Sequence, residues 1–246
     1  MKRPSRASND VRVSDVWRKL GCVTDPELDE SVTEMGFVTE VTIGGDGDVA
    51  VSFRLPTYWC SPNFAFMMGE DMRAKILELD WVRSARVVLG EHMYVDAINR
   101  GVNEGLSFRE AFGEEATGNL DELRKTFLNK AFQWRQEALL SHLLNAGAAG
   151  SDVVEWTVGK LYDRETTIEA HGLIARYLDR RHIGGAFDDS SLAFVSIDGA
   201  PLSAMALPAY LRSIRRLRTN AEFNGALCRR LLVERFSTEP LTGCHS

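Results

Sequence analysis

Cys60 is the residue best placed to do chemistry. It lies in the run Pro56-Thr57-Tyr58-Trp59-Cys60-Ser61-Pro62. Ser61 and Pro62 make a good N-cap and first-turn pair, so the thiol is predicted to stand just before a helix. Free N–H groups and the helix dipole favour a thiolate there, and a thiolate is what a soft metal or a sulfur-transfer step requires. The competing role of a lone cysteine is to pack as a small hydrophobe, and position alone does not separate the two.

The chain has four cysteines, Cys22, Cys60, Cys228 and Cys244. None forms a CxxC pair, which excludes a zinc ribbon and argues against a disulfide framework. Cys22, near the end of the first helix, reads as core or wall. Cys228 reads as packing in an amphipathic helix. Cys244-His245 is either a mobile ligand pair or a frayed terminus. Asp25, Glu27, Asp29, Glu30 and Glu34 form an acidic segment. It offers oxygen ligands for iron beside Cys60, with Asp25 and Glu27 foremost, or a turn that shapes the site, or a solvated loop. His92 follows a strand and reads first as structural. Arg212, Arg215 and Arg216 lie beside an apolar stripe of Tyr210, Leu211, Ile214 and Leu217, a combination suited to docking a partner as well as to a solvated face.

The elements that must position Cys60 follow from periodicity. Val13, Val16, Trp17 and Leu20 fall on one helical face, preceded by an arm of residues 1–12 expected to be disordered, with Ser14 as a cap and Gly21 as a stop. Asp25-Pro26-Glu27 is a turn, because Pro26 biases Asp25 away from helix. Alternating strands span 37–43 and 49–55, joined by Gly44-Gly45-Asp46-Gly47-Asp48. A helix from Pro62 to about Leu79 and a strand over 82–89 complete a helix–strand–strand–helix–strand unit. That is an α+β fold, a three-stranded sheet with helices on one face.

Residues 90–118 read as linker plus one short helix. A long helix starts at Asn119 with Glu122 and runs to about Leu144. Another opens at Thr166 with Glu169 and closes at Arg180, Arg181, His182 and Gly184-Gly185. A hairpin is predicted over 192–207, then two Arg-rich helices near 209–218 and 221–235. The expected organisation is thus a domain over 13–95 and a mainly helical, partner-binding domain over 119–238.

Composition is ordinary for a globular chain of 246 residues, 44% hydrophobic and 26% charged, with a net charge of −6. The charge gives no support to a general nucleic-acid role. No apolar run approaches the ~18 residues of a membrane span, and no apolar signal core follows the basic start, so the expected location is cytoplasmic. No Gly-rich phosphate loop, HExxH, paired ExxH or GxSxG motif is present, which argues against a self-sufficient hydrolase or di-iron oxygenase. A thiol enzyme lacks a histidine base linked to Cys60 by motif.

Taken in order, the helix ending in Asp25-Pro26-Glu27, the segment Thr33-Glu34-Met35-Gly36-Phe37-Val38, the two strands, the Pro56–Pro62 run, the helix and the strand ending in Val87-Val88-Leu89 resemble the MIP18 family. This is the domain-of-unknown-function 59 group, which includes PaaD-like and SufT-like proteins. Ser61 separates the cysteine from the proline that usually follows it directly, and the Thr57–Cys60 loop is one residue shorter than in PaaD-like sequences. The resemblance covers roughly residues 13–90. It implies a non-catalytic factor for iron–sulfur cluster assembly and iron-enzyme maturation, with an iron or iron–sulfur cargo held transiently at Cys60. Glu34, Thr57, Ser61 and Pro62 would shape that site. The implied partners are other cluster-assembly proteins and a client iron enzyme, with a subunit of a bacterial multicomponent oxygenase as the family-level analogy. One cysteine cannot complete a cluster site. A second subunit in a homodimer, the acidic turn, a small thiol or the client must supply the rest. The alternative is a metal-free interaction or regulatory protein in which Cys60 is merely packed.

Overall fold

A computed structural model describes residues 6–116, 119–163 and 167–236. The described residues form two compact units: one from those up to 121 together with 223–236, the other from those between 122 and 222.

In the first unit, α1 (Arg6–Leu20) buries Val16 and Leu20. Residues 6–12 continue this helix rather than forming a disordered arm. They contain no proline and no glycine, and nothing in them breaks the helix that the apolar face begins. Ser14 accordingly sits inside the helix, where its hydroxyl donates to the Asp10 carbonyl (3.1 Å) instead of capping a terminus. Strands β1 (Val38–Ile43) and β2 (Asp48–Phe53) form the predicted hairpin, antiparallel, with Gly47 at φ +84° in its turn. Helix α2 (Pro62–Leu77) then crosses to β3 (Ser84–Leu89), which pairs parallel to β2. The sheet order is β1-β2-β3. Val49, Val51 and Phe53 alternate into the core, as do Ala85, Val87 and Leu89, and they meet Ala65, Phe66, Met68, Met72 and Ile76 of α2. The fold class is the α+β arrangement expected.

The segment after β3 is more structured than a linker. It forms α3 (Val95–Glu104), α4 (Phe108–Phe112) and a 3₁₀ turn at Gly113–Glu115. Ile98, Val102, Phe108, Ala111 and Phe112 join the same core. Its glycines misled the sequence reading because one of them, Gly101, serves close packing, as Gly69 of α2 does against the same segment. A Cβ on Gly101 would stand 2.6 Å from both Ala111 Cβ and Phe66 Cε2, and one on Gly69 would stand 2.9 Å from Val102.

The second unit takes in most of α5 (Leu120–Asn145), then α6 (Gly150–Val153), α7 (Val158–Tyr162), α8 (Ile168–Arg181) and the start of α9 (Leu207–Phe236). Asn119 Oδ1 accepts from the Asp121 N–H at the start of α5. Thr167 caps α8 by accepting from the Ala170 N–H; Thr166, named in the expectation, lies outside the described residues. The core gathers Phe132, Leu139, Leu140, Tyr177 and Phe194 around a buried polar network. In it Gln136 donates to the Val195 carbonyl, Tyr210 donates to Gln136, and Arg181 donates to the Leu192 and Ala193 carbonyls. The hairpin expected over 192–207 reduces to a single bridge, Val195 with Pro201. Pro201 has no N–H to extend a ladder, and Leu207 already begins α9. The two Arg-rich helices are one helix, because neither glycine nor proline interrupts it between the two stretches.

Candidate functional site

Cys60 lies where the sequence places it, in the turn before α2. Its N–H donates to the Thr57 carbonyl (3.4 Å), and Pro62 is the first helical residue. Ser61 occupies the N-cap position. Its carbonyl accepts from Phe64 and Ala65, but its side chain makes no cap bond. The side chain is therefore not competing with Cys60 for the helix N–H groups. The Thr57 hydroxyl and the Cys60 thiol are hydrogen-bonded at 3.1 Å. The hydroxyl is thereby placed where it can donate to the sulfur. Cys60 is half-buried, whereas Tyr58 and Trp59 beside it are exposed.

His92 fixes this turn from 32 residues away. Its Nε2 lies 2.8 Å from the Cys60 carbonyl, and its Nδ1 accepts from the Tyr94 N–H. A carbonyl accepts only, so Nε2 carries the proton and the ring is neutral. Burial holds the His92 pKa below its ordinary value, against the opposing pull of the Cys60 carbonyl; nearby Arg235 lowers it further. With both nitrogens engaged, His92 is a brace for the loop.

The acidic turn is built around Asp25. Its Oδ1 accepts from the N–H groups of Glu27 and Leu28, each at 2.9 Å, and its backbone exchanges bonds with Glu30 and Asp29. Asp29 has φ +54°, a left-handed conformation that a short polar side chain tolerates. Asp25 is only 8% exposed, and burial pushes its pKa up to about 6 despite the two backbone donors. Glu27 accepts from Asn224 Nδ2 (3.1 Å), and Glu30 pairs with Arg229. Glu34 is exposed, on the rim of an open groove lined by Met35, Gly36, Arg54, Leu232 and Phe236.

Residue 224 onward of α9 thus packs on this same unit, which the sequence did not show. Asn224, Cys228 and Leu232 recur every four residues on one helical stripe. Leu232 is buried beside Gly36, Arg229 also donates to Met35 Sδ, and Arg235 donates to the Leu55 carbonyl and to Glu91. Cys228, between Asn224 and Leu232, packs against the same core cluster as Cys60. Burial, then the charges of Asp25, Cys60 and Glu27, push its thiol up to about 11, with Arg229 opposing. The structure therefore brings Cys228 into the electrostatic field of Cys60 and the acidic turn. The four-residue stripe was the signal in the sequence, but it does not say where the stripe lands. Cys22 is exposed, at the end of α1. Cys244 and His245 lie outside the described residues. Arg215 is engaged within its own unit by the buried Glu137 (2.5 Å) and by Ser141, while Arg212 and Arg216 are exposed. Among the described residues, no three His, Cys, Asp or Glu side chains are grouped so as to hold a metal ion, and no helix is long and apolar enough to cross a membrane.

A helix–strand–strand–helix–strand unit with a thiol at the second helix start and a tight acidic turn after the first helix defines a small α+β domain of recognisable type. Residues 14–88 match the family described as iron–sulfur cluster assembly protein. A relative from Porphyromonas gingivalis (strain ATCC BAA-308 / W83), named Fe-S protein maturation auxiliary factor, is 33% identical over 75 residues, which cover 30% of this chain and 70% of the relative. The chain belongs to this family of iron–sulfur cluster assembly proteins, as the resemblance to the MIP18 group implied.

Proposed function

We propose that this protein is a non-catalytic auxiliary factor that holds iron or an iron–sulfur cluster transiently at Cys60 and passes it to a client iron enzyme. The observation that carries this reading is the half-buried Cys60 thiol at the start of α2. It is hydrogen-bonded to Thr57 and braced through its own carbonyl by His92, all within or just beyond the family-matched segment. A thiolate so placed is a soft donor for iron, and partial exposure suits a cargo that must leave. Exposed Tyr58 and Trp59 flank it with apolar surface of the kind that docking partners use. Asp25 enters this reading as the residue that shapes the turn, since its Oδ1 already holds two backbone donors. The client belongs to the same reading, with a bacterial multicomponent di-iron oxygenase as the candidate, docked on exposed Arg212 and Arg216. So do a cytoplasmic location and exchange with other cluster-assembly proteins.

The second reading is a metal-free interaction protein. It is favoured by the absence, among the described residues, of a three-donor group. Anaerobic incubation of the full chain with ferrous iron and sulfide separates the two. Wild type should acquire iron, sulfide and charge-transfer absorption, and should pass them to an apo-ferredoxin. Cys60→Ser, folded equally well by circular dichroism, should do neither, because a hydroxyl is a poor soft ligand. Equal loading of the two proteins would sink the thiolate reading.

A further inference from the structure

The turn that carries Cys60 leaves large apolar side chains in solvent. Trp59 is 73% exposed, Tyr58 49% and Met93 48%. Such surface, when contiguous, marks an interaction site, and here the backbone joins its parts. The Met93 N–H donates to the Tyr58 carbonyl (2.9 Å), one residue along from the His92–Cys60 brace. Met93 also lines an open groove of about 420 Å³ with Tyr94, Asp96, Phe112 and Glu115. Asp96 and Glu115 are exposed there, and among the described residues neither carboxylate has a hydrogen-bond or ion-pair partner. Arg100, one turn along α3 from Asp96, gives its guanidinium to the Ala111 carbonyl instead (2.9 Å). The surface beside the Cys60 turn is thus aromatic and apolar at one end and acidic at the other.

We infer that this surface docks a segment of the recipient protein in which apolar side chains adjoin a lysine or arginine. The apolar part covers Trp59, Tyr58 and Met93, and the cation meets Asp96 and Glu115 in the groove. The inference rests on the reading of Cys60 as the thiol that passes on its cargo, and it names the chemistry of what receives that cargo. Charge decides between occupants. Nucleic acid and an anionic membrane surface are repelled by the two carboxylates. A second copy docked through the same patch would set these carboxylates towards their own counterparts. A cationic segment gains from both, and once seated on Trp59 it stands next to the residue that releases the cargo. Exposed Arg212 and Arg216 carry the opposite charge and would meet a different part of the recipient.

Fluorescence anisotropy of dye-labelled peptides, titrated with the full metal-free chain, tests the docking without any cargo. The probes are a peptide of alternating lysine and leucine, one of alternating glutamate and leucine, and one of alternating lysine and glycine. The lysine–leucine peptide should bind, less tightly as salt is added, and should bind in preference to the other two. Trp59→Ala should weaken it about tenfold. Asp96→Asn combined with Glu115→Gln should weaken it severalfold and remove most of its salt dependence, at unchanged circular dichroism. No binding of this peptide, equal binding of the glutamate–leucine peptide, or unchanged binding to both variants would overturn the inference. So would a dimer in sedimentation that Trp59→Ala dissolves, because a second copy would then be the occupant. Loading with ferrous iron and sulfide is measured alongside. The carboxylate variant should load like wild type; a loss of loading there would show that the carboxylates serve the cargo and not the partner, and would overturn the inference. Wild type that loads but does not bind the peptide would sink this inference and leave the Cys60 reading standing. Wild type that binds the peptide but fails to load would overturn the Cys60 reading, and with it the identity of the partner as a recipient of cargo.

Discussion

Replacing Asp25 with asparagine tests whether its buried carboxylate costs the fold stability at neutral pH. The Asp25 side chain is 8% exposed, and its Oδ1 accepts two backbone N–H groups at 2.9 Å. Those bonds favour the carboxylate, but burial outweighs them, and the neighbouring Glu27 and Glu30 charges add to it. The pKa rises from 3.8 to about 6. For an acid raised in this way, the folded state holds the proton more tightly than the unfolded chain. Stability from this group is therefore greatest below about pH 4, falls as pH rises towards 6, and is level above that. At 1.36 kcal/mol per pH unit, the carboxylate costs the fold about 3 kcal/mol at neutral pH, as an upper figure. Asparagine keeps an Oδ1 acceptor for Glu27 and Leu28 and never ionises. Asp25→Asn should be more stable than wild type at pH 7.5, by up to about 3 kcal/mol, and the gap should close towards pH 4. Urea unfolding from pH 4 to 8, followed by tryptophan fluorescence, measures this. His92 contributes the opposite slope, because burial lowers its pKa and stability is lost as pH falls through 6.5, but it is common to both proteins and cancels in the difference. A variant that is less stable at pH 7.5, by the same amount at every pH, would refute the argument and mean that the carboxylate has a compensating partner.

Gly101→Ala should destabilise the first unit by about 1–3 kcal/mol, because the new methyl would stand 2.6 Å from Ala111 and Phe66; thermal melting no lower than wild type would mean that α3 and α4 shift apart freely. His92→Ala should cost at least about 2 kcal/mol by leaving the Cys60 carbonyl and the Tyr94 N–H without their partner. It should also speed alkylation of Cys60 as its turn loosens; an unchanged alkylation rate would show that the turn is held by Thr57 alone.

Local chemistry was what the sequence exposed. The β1–β2 hairpin, the start of α2 at Pro62 and the Thr57–Cys60 turn each depend on residues within a few positions of one another. Proline, glycine and alternation report such features directly. Gly101 shows where that logic fails. A glycine that permits close packing looks the same in a sequence as one that loosens a linker, and only the identity of its neighbours, Phe66 and Ala111, tells them apart. The candidate site divides in the same way. Cys60 and Thr57 were legible, but the brace from His92 arrives from 32 residues away. The Glu27–Asn224 and Glu30–Arg229 contacts join residues 197 and 199 positions apart. Four-residue spacing along α9 announces a face without naming its destination, so Cys228 read as packing, but the unit on which it packs was not legible.

The first unit joins residues that precede 122 to residues that follow 222, with the second unit between them in sequence. During synthesis the acidic turn and Cys60 therefore leave the ribosome well before Asn224, Cys228 and Arg229. At ~5–20 residues per second, the ~100 intervening residues take roughly 5–20 s to make. Throughout that interval the nascent protein carries a complete three-stranded sheet and an uncovered Cys60 turn. The contacts that come last must close a loop of nearly 200 residues, a cost that grows only slowly with length. Synthesis thus gives each copy a period in which the Cys60 turn stands in solvent without the helix that later packs on the same unit.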